Sequence, residues 1–318
     1  MGRLLDVTKA TWQLLTGGRW LHDPLDRTRP MAAPLVPLGP WYYDMRRAIE
    51  RGDYHLFDEK GIPRLRIPGV KGLVYHPSRI ASFSIAHATR YIQDGRGEDR
   101  DTALLGARWL VASQVRDGPL RGAVPIPFDW HGSRAPRVSA LTQGMVMSAL
   151  ARAYLMTGEE PFAVAMVEAI GPFERQEAQG GVHARFHGTG DVWYEEHPRP
   201  EGGSHILNGF VYALWGLRDT GLIRPQTSAV DLYRAGVESL ARHVEAFDLG
   251  YWSSYDCPDG RPARVASLYY HHDHRFMMRI MHELEGQPVF LAMAERWDRY
   301  YRSLRCRLRV LAAKRRDL

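Results

Sequence analysis

Leu207-Asn-Gly-Phe-Val-Tyr-Ala-Leu-Trp-Gly-Leu217 reads as a helix. The segment before it, Asp191-Val-Trp-Tyr-Glu-Glu-His-Pro198, is separated by a Gly-rich break and reads as extended chain lying across the helix start. Apolar spacing of three and four recurs from Pro77 onward. It predicts helices over about 78–92, 99–115, 136–157, 160–172, 204–220, 227–247, 263–284 and 288–312. Eight helices in four pairs can close into an (α/α) toroid, whose inner and outer rings bury their apolar stripes against each other. The inter-helix loops then build a cleft at one mouth. No Gly-rich phosphate fingerprint and no strand–helix alternation occur, so a doubly wound sheet is not expected.

Upstream, prolines 24, 30, 34, 37, 40, 63 and 68 interrupt any long periodicity. The expected organisation is an irregular segment over 1–75 packed on a main domain over 76–318, with a few short strands in loops. Alternation after a turn at Gly61 suggests a hairpin. The 318 residues are 45% hydrophobic, enough for a substantial core. Lys and Arg total 42 against 36 Asp and Glu, a net charge of +6. This suits a polyanionic partner, but no zinc-finger spacing, RNP-like motif or sustained basic helix points to nucleic acid. Cys257 and Cys306 form no disulfide framework or metal quartet. Asp6 and Lys9 interrupt what a secretory signal would need, and no stretch reaches membrane-spanning length. A cytoplasmic chain is expected. Leu4, Leu5, Thr8, Trp12 and Leu15 would share one face of an N-terminal helix, docked on its own domain or touching a membrane.

Three inserts combine aromatic and polar residues: Gly122 to Trp130, Gly181 to Pro200 and Gly250 to Asp259. Aromatic rings stack on pyranose C–H faces while carboxylates and amides grip hydroxyls, so Trp130, Trp193 and Tyr194 are candidate sugar contacts. In extended chain Tyr194 and Glu196 share one side and Glu195 and His197 the other. Ser253-Ser-Tyr-Asp256 and Ala266-Ser-Leu-Tyr-Tyr-His-His-Asp-His-Arg275 form a second constellation, with Tyr270 and His274 one helical turn apart. His271 with His274, or Asp273 with a neighbour, offer metal-ligand atoms, but no third ligand stands at a known spacing, and no metal site or cofactor is expected. Ser139 and Gln143 are one turn apart, and Gln143 either binds a sugar hydroxyl or caps a loop from within the core.

At these residues the chain resembles the C-terminal catalytic domain of D-glucuronyl C5-epimerases. The matching pieces are Trp193-Tyr-Glu-Glu-His-Pro, the helix at 207–217, Ser254-Tyr-Asp and Tyr270-His-His-Asp-His. Ser139-Ala-Leu-Thr-Gln-Gly with Arg152-Ala-Tyr, and Tyr75-His-Pro with Ile80-Ala-Ser-Phe, follow the pattern in order, so the resemblance spans about 75–300. It implies an (α/α) toroid and a metal-free proton transfer on an acidic, heparosan-type polysaccharide, centred on Tyr255, Tyr270 and Glu196. Two positions depart from the pattern. His197 stands where the family commonly has Tyr, and Cys257-Pro-Asp-Gly replaces an Arg expected soon after Tyr255. The large β domains of the animal enzymes are missing, which implies a compact bacterial-type member; a homodimer is allowed.

Epimerisation at C5 of a uronate puts a second negative charge beside a carboxylate, so that carboxylate must be neutralised. One well-placed donor contributes about 3 kcal/mol. Arg264, His271, His274 and Asn208 are the candidate donors. Inversion also needs a base on one face and an acid on the other, and Tyr270 with Tyr255 or Glu196 is the expected pair. A phenolate base would need the Arg and His around Tyr270 to lower its pKa from about 10. His197 could replace the missing tyrosine as proton carrier. The rival readings are a polysaccharide lyase, a glycoside hydrolase using Asp129 and Glu196, and a non-catalytic glycan-binding relative.

Overall fold

A computed structural model describes residues 23–25, 30–129, 134–199 and 202–316. Its main elements are four helix pairs: α2 (Pro77–Asp94) with α3 (Gly97–Ala112), α4 (Ala140–Thr157) with α5 (Glu160–Glu168), α7 (Leu207–Ile223) with α8 (Ala229–His243), and α9 (Leu268–Glu285) with α10 (Pro288–Arg302). Short helices α1 (Arg46–Glu50) and α6 (Gly171–Glu174) and a C-terminal α11 (Leu304–Arg316) complete the helical set among the described residues. β1 (Asp23–Pro24) pairs antiparallel with β2 (Tyr43–Asp44), and β3 (His183–Arg185) with β4 (Val192–Tyr194). The chain is an (α/α) barrel.

The extent of burial separates the two rings most clearly at α4, α7, α8 and α10. In α4 and α7 almost every residue is buried, as expected of helices apolar all round; α8 and α10 bury a single stripe. Helices α2, α4, α7 and α9 therefore pack in succession as the inner layer, with α3, α5, α8 and α10 outside. The closest approach is between α4 and α7. A Cβ on Gly144 would lie 2.2 Å from the Tyr212 carbonyl oxygen, and one on Gly216 would lie 2.3 Å from the Gly144 carbonyl oxygen, so both positions are reserved for glycine by backbone contact.

All eight expected helices are present with shifted bounds; the 204–220 helix runs from Leu207 to Ile223, and five others differ for reasons the structure shows. Arg137 pairs with Ile126, so the 136–157 helix begins at Ala140, where the Ser139 hydroxyl accepts from Thr142 N–H at 3.4 Å. Val265 pairs back on Ser254, which delays the 263–284 helix to Leu268. The 160–172 helix stops at Glu168, the 227–247 helix ends in a 3-10 turn over Val244–Phe247, and the 288–312 helix divides at Ser303. The turn at Gly61 is formed: Asp58 Oδ1 accepts from Lys60 and Ile62 N–H, and Phe57 bridges Pro63. The N-terminal amphipathic face at Leu4–Leu15 lies outside the described residues, as does Trp130. No described helix is long and apolar enough to cross a membrane.

Trp41 and Tyr43 are fully buried. Trp41 stacks on Tyr212 at 5.6 Å, Tyr42 stacks on Trp215 at 4.5 Å, and the Tyr43 hydroxyl donates to the Asp273 carbonyl at 3.1 Å. This proline-rich stretch thereby fills space against the inner helices.

Candidate active site

The N-terminal ends of all four inner helices contribute to one region. His76 precedes α2, Arg137 precedes α4, Asn208 and Gly209 lie in the first turn of α7, and Tyr270 lies in the first turn of α9. Helix N-termini carry partial positive charge and unpaired N–H groups, which favours an anion. Ser267 fixes the α9 start by accepting from Tyr270 N–H at 3.2 Å.

Glu196 is the centre of this region. β4 ends at Tyr194, so the strict alternation expected through 197 is lost. Glu195 points into the core, where it accepts from His205 N–H at 3.0 Å, while Glu196 and His197 come together with 3.6 Å between Oε1 and Nε2. Gly209 makes room for Glu196, because a Cβ there would sit 2.5 Å from its Oε2. That Oε2 is buried with no hydrogen-bond partner. Burial, assisted by the charge of Glu195 and opposed by Arg137 and Arg264, pushes the Glu196 carboxyl up to about 7. Arg137 Nη1 lies 3.0 Å from His197 Nδ1. A guanidinium only donates, so His197 Nδ1 accepts and its proton sits on Nε2, toward Glu196.

The Tyr255 and Tyr270 rings touch, with centroids 4.6 Å apart. Burial and the Glu196 charge raise both phenols; the hydrogen bond between them raises Tyr255 and lowers Tyr270, as when Tyr255 donates and Tyr270 accepts. Tyr270 is thereby the more acidic of the two, at about 12. Tyr255 is held on an antiparallel turn by its N–H donating to Arg264 O at 2.7 Å, and its carbonyl accepts from Leu207 N–H at 3.3 Å. Asp256, fully buried beneath, binds Arg264 Nε at 2.7 Å and Arg261 Nη2 at 2.8 Å, which sets the Arg264 guanidinium 4.8 Å from the Tyr255 ring. Tyr212 joins the group from α7, its phenol raised by burial and by the charges of Asp273, Tyr270 and Glu196.

Several expected contacts lie elsewhere. Trp193 is fully buried and stacks on Phe210 at 3.9 Å, and the Tyr194 hydroxyl donates to Leu232 O at 2.8 Å. Both are core groups, because β4 packs face-on against α7 and α8. Gln143 is spent on backbone, accepting from Val124 N–H and donating to Gly122 O and Ala169 O. It holds the 122–124 turn and grips no sugar. His271 lies between Trp297 O and Ser253, and His274 Nδ1 meets the Ser253 hydroxyl at 3.0 Å. Burial lowers His274 to about 3 and His271 well below its usual value, so neither supplies the positive charge expected around Tyr270. Asn208 is buried with Oδ1 unpartnered. Asp129 is exposed and accepts from Ala135 N–H. In the 122–130 insert, Ile126 and Phe128 pack with Ile67 in a small core of their own.

Sequence reading missed Arg137, Tyr212, His76 and Glu177. His76 and Tyr212 lay inside recognised motifs, yet nothing in a linear pattern shows which helix faces meet. Beside His197 and Arg137 is a cavity of about 150 Å³ that also includes Glu177, whose carboxyl burial raises to about 7. A larger depression of about 420 Å³ is lined by Arg121, Glu168, Glu174 and Arg175 and includes none of the phenols.

A buried acid and paired phenols lie at the helix N-termini of an (α/α) barrel. Residues 121–299 match the family described as D-glucuronyl C5-epimerase C-terminus, and the chain belongs to that family. It is 27% identical over 300 residues to the D-glucuronyl C5-epimerase of Caenorhabditis elegans, covering 83% of this chain and 45% of the relative. An uncharacterised protein of Methanocaldococcus jannaschii is 28% identical over 160 residues, half of each chain. The chain thus spans about half the length of the curated relatives it matches. The fold is similar to that of cellobiose 2-epimerase from Spirochaeta thermophila, with a TM-score of 0.50 and 17% identity over 70% of this chain and 57% of that one.

Proposed function

We propose that this chain is a carbohydrate epimerase that inverts C5 of glucuronyl units in an acidic polysaccharide. The observation carrying the reading is Glu196, a buried carboxyl group raised to about 7 and sharing its surroundings with two tyrosines whose ring centroids lie 4.6 Å apart. A base is most effective when its pKa lies near the working pH, and an acid must hold its proton there. Glu196 meets the first condition and Tyr270, at about 12, the second.

In this mechanism the C5 proton passes to the Glu196 carboxylate as the C5–H bond breaks, leaving an enediolate-like dianion. Arg137, the His197 Nε2 proton and the helix N-termini neutralise the substrate carboxylate as that charge develops. Tyr270 delivers its phenolic proton to the opposite face of C5, and Tyr255 stabilises the transient phenolate by donating to it. Tyr270 then recovers a proton as Glu196 releases one, so the reaction is redox-neutral and consumes no co-reactant. Trp193, Tyr194, Gln143, His271 and His274 act as scaffold, and Arg264 and Asn208 remain as candidate substrate contacts.

The test is incubation with heparosan-type and other uronate polymers in deuterated water. C5 deuterium in chains of unchanged length is the expected result. Shortened, ultraviolet-absorbing products would replace the proposal with β-elimination, and saturable binding without label would leave a glycan-binding protein.

A further inference from the structure

Outside the phenol cluster, His187, His205 and Asp259 bring one nitrogen or oxygen donor each to within 4.8 Å of one another. They come from a 3-10 turn at Phe186–Gly188, the break before α7 and the loop after Tyr255. We propose that they form a binding site for a divalent transition-metal ion of the zinc type. Two imidazoles and a single carboxylate suit such an ion; Ca²⁺ and Mg²⁺ prefer oxygen-rich shells.

Three features separate this cluster from a chance surface grouping. First, His205 is fully buried and its Nδ1 stands 2.7 Å from Glu195 Oε1, itself fully buried. A carboxylate close behind one ring nitrogen favours the proton there, and the other nitrogen, Nε2, is an acceptor in this structure, the state a metal ligand needs. That Nε2 lies 3.4 Å from Asp259 Oδ2, close to the roughly 3.3 Å between neighbouring donors around tetrahedral zinc. It accepts from His187 backbone N–H at 3.4 Å, a bond that an ion would replace. Second, His187 and His205 have φ of 45° and 46°, and they are the two non-glycine residues with positive φ among the described residues. Such backbone persists only where its surroundings enforce it, and strained residues gather at ligand sites. Third, Gly203 leaves space for the pair behind the site. A Cβ there would lie 2.2 Å from the His205 ring and 2.7 Å from Glu195 Oε1.

The remaining polar contacts hold the cluster together through hydrogen bonds, some of which an ion would replace. Asp259 Oδ1 lies 2.6 Å from His187 Nδ1, its Oδ2 accepts from Gly203 N–H at 3.1 Å, and Cys257 Sγ is 3.2 Å from His187 Nε2. His187 and Asp259 are partly exposed, so an ion has an entry path. Glu195 adjoins Glu196 in sequence, and Cys257 and Asp259 follow Tyr255 by two and four residues. A bound ion would thus clasp the segments bearing both groups, whatever reaction the cleft performs.

The experiment is calorimetric titration of the chelator-treated full chain with Zn²⁺, alongside absorption spectroscopy with Co²⁺. The expected results are one high-affinity Zn²⁺ per chain, tetrahedral Co²⁺ bands, no displacement by excess Mg²⁺ or Ca²⁺, and a Zn²⁺-dependent rise in Tm. His187→Ala and Asp259→Asn change exposed side chains, so both variants should fold, and each should weaken Zn²⁺ at least a hundredfold and abolish the Tm rise. Glu195→Gln should weaken it ten- to a hundredfold. Absence of stoichiometric binding, or binding undiminished in the His187→Ala, Asp259→Asn double variant, overturns the proposal.

Discussion

Glu196 ties reactivity and stability to the same proton. Its carboxylate form is the proposed base, so activity should rise as pH increases through about 7, checked by a pH profile of C5 exchange. Stability runs the other way. The folded-state value is raised above the ordinary 4.5, so its contribution is fully present below about 4.5 and lost as pH rises through about 7. Glu196→Gln should therefore abolish exchange, yet at pH 8 be more stable than the parent by roughly 2 kcal/mol, measured by urea denaturation. A variant less stable at pH 8 would argue that the buried charge is compensated. Tyr270→Phe should lose exchange at least a hundredfold with little change in substrate binding, since it removes the proton donor and leaves the anion contacts in place.

At the scale of elements, glycines set how closely backbones and side chains meet. Gly209→Ala places a methyl group 2.5 Å from Glu196 Oε2 and 2.7 Å from its Cβ, so it should displace that carboxyl, lowering kcat more than it raises KM, with some loss of Tm because the Cβ is anchored to the backbone. Gly144→Ala acts on the barrel itself. Its methyl group would meet the Tyr212 carbonyl oxygen at 2.2 Å, and since backbone yields less readily than a side-chain end, α4 and α7 must separate. A loss of about 3 kcal/mol by chemical denaturation is expected.

Across the whole molecule, one buried cluster joins the N-terminal aromatic stretch to two inner helices. Asp219 on α7 accepts from Tyr42 Oη at 2.9 Å, from Ser148 Oγ at 2.7 Å and from Arg152 Nη1 at 2.7 Å, with Arg152 and Asp219 both almost fully enclosed. Removing one member of a buried pair leaves the other charge uncompensated. Asp219→Ala should cost about 4 kcal/mol in thermal or urea denaturation, more than Ser148→Ala, because only the former strands a cation.

The sequence by itself determined the helical class, the four pairs and the segments that meet at the site, because helical period and ordered motifs are properties of neighbours along the chain. The ordered motifs, through the family resemblance they carry, marked Glu196, Tyr255, Tyr270 and His197 as candidates. Tertiary structure decided the rest. Trp193, Tyr194 and Gln143 carry the side chains of a sugar platform but turn into the core, since the faces of β4 and α4 are set by partners far away in sequence. Arg137 and Tyr212 gain their places, and His271 and His274 lose their charge, through burial that only assembled helices create. The cluster at positions 187, 205 and 259 has no spacing to read. Its donors meet because three loops converge, and convergence is a property of the packed barrel.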